Sequence, residues 1–129
     1  MSTQFATYPN AYQQSAYRQS AILTASPERL VVMLYDGARR FLSQAAVAMR
    51  NGDVAAAHFK LRRAEDIILH LRNTLDLSQG EIAARLESIY LFCSRHLNEA
   101  RCQRDPQKIE QVSALLAQLR ESWNTIASA

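Results

Sequence analysis

Four times along this chain the apolar residues recur at alternating steps of three and four, and each run is bounded by signals for one helix to stop and the next to start. That spacing lays a stripe of side chains along one side of an α-helix, the pattern of helices packed lengthwise on one another. The first run is Val31, Tyr35, Ala38, Leu42, Ala45 and Met49, widened by Leu30, Leu34 and Phe41. The second is Val54, Ala57, Leu61, Ala64, Ile68, Leu71 and Leu75, with Ile67 beside it. Ile82, Leu86, Ile89, Cys93, Leu97 and Ala100 form the third, and Ile109, Val112, Leu116, Leu119, Trp123 and Ile126 the fourth.

The boundaries are written in capping residues. Ser26 can accept a hydrogen bond from the free N–H groups of a first helical turn, Pro27 suits the first helical position, and Glu28 sits near the positive end of the helix dipole. Asn51-Gly52 is a stop of the left-handed type, and Asp53 follows as the next cap. Ser78-Gln79-Gly80-Glu81 reads as a capping box, with Ser78 at the cap and Glu81 reaching back. Asp105-Pro106 repeats the cap-then-proline device. The resulting expectation is helices over about 27–50, 53–77, 79–104 and 106–127. Links of a few residues force consecutive helices to lie antiparallel, so the fold expected is all-α, an up-down-up-down four-helix bundle.

Residues 26–129 are assigned to this bundle and 1–25 to a tail. The tail carries Phe5, Tyr8, Tyr12, Tyr17, Ile22 and Leu23 among small polar residues, with Arg18 its one formal side-chain charge. Pro9-Asn10 could open a short helix over 11–20. Either these aromatic side chains pack on the bundle or a partner, or the segment is a frayed end; disordered tails usually lack such residues.

A chain of 129 residues with 48% apolar content forms one domain with a real core. Three glycines and three prolines leave little for the turns of a strand-rich fold. No run approaches the ~20 apolar residues of a membrane span, and the N-terminus lacks the basic flank and apolar block of a secretory signal. Cys93 and Cys102, nine residues apart in one helical pattern, point to different parts of that helix, so reduced thiols are expected rather than an intrahelical disulfide.

Chemistry is hard to find. A di-iron bundle needs Glu-x-x-His on two helices, which is absent here. His58, His70 and His96 are scattered among polar or rim positions, and no Cys-x-x-Cys, glycine-rich dinucleotide motif or phosphate loop occurs. Asp36, inside a helix beside Gly37, reads as a structural aspartate paired with an arginine, with Gly37 letting a neighbouring helix approach closely. No enzyme, metal or cofactor is expected. Thirteen of the fifteen cations are arginine, and Arg39-Arg40 with Arg62-Arg63 raise the question of a nucleic-acid face. Glu65 and Asp66 lie within a helical turn of Arg62 and Arg63, so a solvated, ion-paired face is expected instead, and no nucleic-acid partner.

What remains is apolar surface in excess. Besides the stripes there are Leu30, Leu34, Phe41, Ile67, Leu91, Phe92 and Leu115. Some thicken the core; others leave a groove apolar enough for a partner's amphipathic helix. The periodicity alone thus describes a helix-binding module.

Several stretches, in order and over nearly the whole chain, resemble the flagellar export chaperone family FliS. They are Ala11-Tyr12-x-Gln14, Thr24-Ala25-Ser26-Pro27, Met33-Leu34-Tyr35-Asp36-Gly37-Ala38, Gly52-Asp53, Ala64-x-x-Ile67-Ile68, Gly80-Glu81-Ile82-Ala83, Leu86-x-x-Ile89-Tyr90 and Glu121-x-Trp123. The departures fall mainly in the arginine-rich surfaces and the short C-terminus. The resemblance implies a cytoplasmic chaperone without ATPase activity that binds the disordered C-terminal segment of flagellin one to one. It would prevent premature polymerisation and be handed, with its cargo, to the export gate protein FlhA of the flagellar type III secretion apparatus.

The resemblance also places the N-terminal segment near the flagellin groove, with Tyr12 at the family's recurring tyrosine; Tyr12 and its neighbour Ile22 are then expected to cap the groove in the free protein. The residues expected to line it are Ile67, Leu71, Leu75, Ile82, Leu86 and Tyr90, each plausible as contact or core. A helical adaptor or dimerisation module binding an amphipathic partner helix is the alternative, and self-association of the free protein stays open.

Overall fold

The computed structural model describes Gln19 and residues 24–128, with side-chain surroundings given through Asn124. Tyr12 and Ile22, with the rest of the tail's aromatic residues, lie outside the described residues. Four long helices make up the described chain: α1 (Pro27–Arg50), α2 (Val54–Asn73), α3 (Glu81–Gln103) and α4 (Pro106–Ser128), with a single 3-10 turn, Leu77–Gln79, between α2 and α3. No strand occurs among the described residues. The expected all-helical four-helix architecture is present.

Local chemistry sets most of the ends. The Ser26 side chain accepts from the Arg29 N–H, with Pro27 opening α1. Asp53 accepts from the Ala56 N–H at the start of α2, and Asp105 from the Gln107 N–H at the start of α4. Gly52, at φ 75°, makes the left-handed turn between α1 and α2.

The second junction differs from expectation. α2 stops at Asn73, with Thr74 as its C-cap, four residues short of 77. Asp76 then gathers the Ser78 N–H, the Ser78 hydroxyl and the Gln79 side-chain amide, and this local network holds a tight turn where the helix would otherwise run on. The capping box does not form. Ser78 bonds to Asp76, Glu81 pairs with Arg85 at 2.8 Å, and Gly80, at φ 88°, stands at the N-cap of α3 without a side-chain cap.

Packing follows the stripes. α1 lies against α2 and α4, and α3 closes the bundle against the same two helices. Cross-helix contacts pair early residues with late ones: Arg29 with Asn124 and Arg50 with Glu110 between α1 and α4, Arg72 with Glu87 and Arg101 with Glu65 between α2 and α3. The core comprises Tyr35, Ala38, Leu42 and Ala45 of α1, Leu61, Ala64, Ile68 and Leu71 of α2, Cys93, Leu97 and Ala100 of α3, and Ile109, Val112 and Leu116 of α4. Alanines recur on three of the four buried faces, which keeps the helices close. Val32 replaces Val31 as the fully buried valine, and on α3 the buried face starts at Ala83 rather than Ile82.

Two further expectations are settled by partners. Asp36 pairs with Arg120 of α4, Oδ1 to Nε 2.6 Å. Gly37, by contrast, is not what allows α2 to approach: a Cβ there would stand 3.5 Å from Ile67 Cδ1, an ordinary contact. Cys93 is buried, Cys102 exposed, and both are free thiols.

Candidate functional site

Where α2 ends and α3 begins, the bundle is not closed. The late end of α2 and the 3-10 turn border this tip, and α1 starts and α4 finishes there too, so the four helix ends and the turn surround one open cavity of about 370 Å³. Its apolar walls are Leu71 and Leu75 after α2's midpoint, Ile82, Ala83, Leu86 and Tyr90 of α3, Val31 of α1 and Trp123 of α4. Thr74, Asp76 and Gln79 supply a polar edge on one side only.

Five of the six residues expected to line a groove meet here: Leu71, Leu75, Ile82, Leu86 and Tyr90. They divide by exposure. Leu71 and Tyr90, each 2% exposed, belong to the core and form the floor. Leu75 and Leu86 are half-buried walls packed on that core. Ile82 is 74% exposed, the most exposed large apolar residue of the described chain. The sixth residue, Ile67, does not join them: it lies in a separate cleft with Leu34, Phe41, Arg63, Asp66 and His70. One turn before Leu71, it stands about 6 Å further from the tip and about 40° round the helix, against Leu34 and Phe41 of α1. Tyr12 and Ile22 fall outside the described residues.

Val31 and Trp123 were readable only as core stripe. The signal that would have found them was topological: in an antiparallel bundle the start of α1 and the end of α4 stand beside the end of α2 and the start of α3.

Beneath the floor lies a buried polar contact. The Tyr35 and Tyr90 hydroxyls are 2.5 Å apart, reaching across the bundle from α1 and α3. Burial pushes the Tyr35 phenol above its ordinary value, partly offset by hydrogen bonds from the Tyr90 and Trp123 side chains. Burial, then the hydrogen bond to Tyr35, pushes Tyr90 up further. Both are neutral at physiological pH. Burial likewise raises the Cys93 thiol to about 11, so it is an inert core group rather than a nucleophile. At the rim, hydrogen bonds from Ser78 and Gln79 hold the Asp76 carboxyl below its usual range. Among the described residues no three His, Cys, Asp or Glu side chains come together as a metal site. The cavity therefore offers apolar contact and shape, with no acid–base pair facing into it.

Residues 8–129 match the family described as Flagellar protein FliS. The chain belongs to the FliS family. It is 39% identical over 119 residues to the flagellar secretion chaperone FliS of Salmonella typhimurium, covering 91% of this chain and 87% of that protein. The FliS of Campylobacter jejuni is 32% identical over 118 residues, 91% of this chain and 92% of the relative. That of Bacillus subtilis is 31% identical over 109 residues, 84% and 81%. The FliS match includes every helix described above and the cavity they enclose. The FliS proteins of Salmonella typhimurium and Bacillus subtilis carry the name of a chaperone, not of an enzyme. No helix among the described residues is long and apolar enough to cross a membrane.

Proposed function

We propose that this chain is a cytoplasmic flagellin chaperone, binding the disordered C-terminal segment of flagellin one to one and holding it unpolymerised until export. The observation that carries the reading is the open apolar cavity at the bundle's tip, with Ile82 standing in solvent at its mouth, in a chain whose relatives are flagellar secretion chaperones. A large apolar side chain kept exposed beside half-buried Leu75 and Leu86 is what a surface that accepts a partner's apolar residues requires. Coupled folding of a disordered segment on a preformed apolar surface buries a large area, while the ordering cost keeps the complex releasable. Release fits delivery of the loaded chaperone to FlhA at the export gate. Tyr12 and Ile22 cap the cavity in the free protein and give way to flagellin.

Calorimetric titration with flagellin, intact and lacking its C-terminal segment, tests this. Submicromolar one-to-one binding with a negative heat-capacity change, lost on truncation and on Ile82→Asp, is the expected result. Tyr12→Ala should tighten binding by removing the competing cap. Binding that survives truncation would overturn the assignment of the segment, and binding untouched by Ile82→Asp would overturn the assignment of the cavity.

A further inference from the structure

The expectation of an ion-paired face around Arg62 and Arg63 does not hold. Glu65 reaches across to Arg101 of α3 instead, leaving its own helix's arginines without it. Arg63 places its guanidinium over the Phe41 ring of α1, 5.5 Å from the centroid, and Lys60 sets its ammonium over the same ring at 5.5 Å. Lys60 also lies 5.8 Å over Phe59, which is exposed. Arg40 is exposed one residue before Phe41. Among the described residues, none of Arg40, Lys60 and Arg63 has a carboxylate within ion-pair distance, whereas Arg50, Arg72, Arg85, Arg101, Lys108 and Arg120 all do.

Between α1 and α2 lies an open cleft of about 250 Å³ whose apolar wall is Leu34, Phe41 and Ile67; Arg63 lines it, and Lys60 stands over its Phe41 wall. Its one acid is Asp66, and His70 stands at the other edge. Arg63 in the lining and Lys60 over Phe41, against the one carboxylate, leave the furrow net positive. A cleft this small falls below the usual range of small-molecule pockets and suits an anchoring side chain of a longer ligand. Cations already seated on an aromatic ring remain free to pair with an incoming carboxylate from their outer side.

We propose that this α1/α2 furrow is a second docking surface, separate from the cavity at the tip, for an acidic amphipathic helix of a protein partner. The partner inserts an aliphatic side chain between Phe41 and Ile67 and sets carboxylates against Lys60 and Arg63. Charge complementarity chooses an acidic occupant, and the apolar wall chooses one with an apolar stripe. The inference does not depend on flagellin binding, because none of these residues lines the other cavity.

The test uses the full chain and a fluorescein-labelled helical peptide with leucines at helical spacing and glutamates flanking them, beside an analogue with every glutamate replaced by glutamine. Anisotropy should show the acidic peptide binding, the glutamine analogue binding more weakly, and Lys60→Glu/Arg63→Glu weakening the acidic peptide by about tenfold or more. Phe41→Ala should weaken both peptides, with circular dichroism confirming the fold, and Arg85→Glu, far from the furrow, should change nothing. Equal binding of the two peptides, or indifference to Lys60→Glu/Arg63→Glu, overturns the proposal. So does tighter binding of polyuridine RNA or phosphatidylglycerol vesicles lost on Lys60→Glu/Arg63→Glu, since the face would then serve phosphate rather than carboxylate. Flagellin titration of Lys60→Glu/Arg63→Glu should match the wild type, so failure here and failure of the tip cavity are told apart.

Discussion

The Tyr35–Tyr90 contact predicts an asymmetric double-mutant cycle. Both rings are fully buried, at 0% and 2% exposure, and their hydroxyls are 2.5 Å apart. Removing one hydroxyl strands the other in an apolar interior, which costs about 1–3 kcal/mol, more than the bond's net worth of about 1 kcal/mol. The two strandings are unequal. In Tyr90→Phe the freed Tyr35 hydroxyl can turn to the neighbouring Trp123 indole, so the loss should fall near the low end, about 1 kcal/mol. In Tyr35→Phe the Tyr90 hydroxyl has no other protein partner among the described residues, so the loss should reach about 2–3 kcal/mol.

Removing both hydroxyls strands neither. Tyr35→Phe/Tyr90→Phe should therefore lose about 1–2 kcal/mol, well short of the sum of the single changes, for a coupling of about 2 kcal/mol. Urea unfolding followed by circular dichroism measures all four corners, and in a chain of this size each kcal/mol should also move Tm by about 3–5 °C. Additivity within about 0.5 kcal/mol would mean that the hydroxyls do not depend on each other. A Tyr90→Phe that costs more than Tyr35→Phe would refute the role given to Trp123.

Three further outcomes follow from the same structure. Cys93 is fully buried with its thiol raised from 9.0 to about 11, so the native state keeps a proton that the unfolded chain releases. The associated stability is fully present below pH 9 and is lost as pH rises toward 11, about 2–3 kcal/mol in all. Cys93→Ala should lower stability at pH 7 yet flatten its decline between pH 9 and 11, as read from urea midpoints across that range; an unchanged slope would remove Cys93 as the cause. Gly37→Ala should stabilise by about 0.5–1 kcal/mol, because a helix-interior glycine gains propensity and its new methyl meets Ile67 at an ordinary 3.5 Å; a loss in urea unfolding would mean that α1 and α2 are closer in solution. Ile82→Asp should change stability by less than about 0.5 kcal/mol, since the side chain is 74% exposed and an acid in the first turn of α3 favours the helix dipole; a marked fall in the urea midpoint would make Ile82 a core residue and void its use as a probe of binding.

What could be read from the sequence was what is decided within a turn or two of chain. Ser26, Asp53 and Asp105 act on N–H groups two or three residues away, so the starts of α1, α2 and α4 were legible, and the stripes placed most of the core. The end of α2 was not, because Leu75 continues the three-four rhythm while standing beyond the helix. Spacing records that an apolar side chain turns inward, and Leu75 does so from the segment after Thr74 as well as it could from a helix. Ser78 illustrates the same limit: its hydroxyl could cap α3 or bond to Asp76, and only the turn, with Gly80 at positive φ, decides.

The candidate site divides along a similar line. A stripe cannot distinguish a floor from a mouth, so Tyr90 and Ile82 looked alike, although one is sealed beneath the cavity and the other stands in water. Ile67 and Leu71 are one turn apart in sequence yet open into different clefts, because the bundle wraps different neighbours against adjacent faces of α2. Charge behaves likewise: Glu65 had arginines within its own helical turn and took one from α3, thirty-six residues away. Arg63, three residues before Asp66, likewise turns from the acid of its own helix to the Phe41 ring of α1, and this is the step from which a second binding face follows. Partner surfaces of a bundle such as this arise from the mismatch between what the local sequence could satisfy and what the packed helices do satisfy, and Ile82 and Arg63 are its two clearest residues.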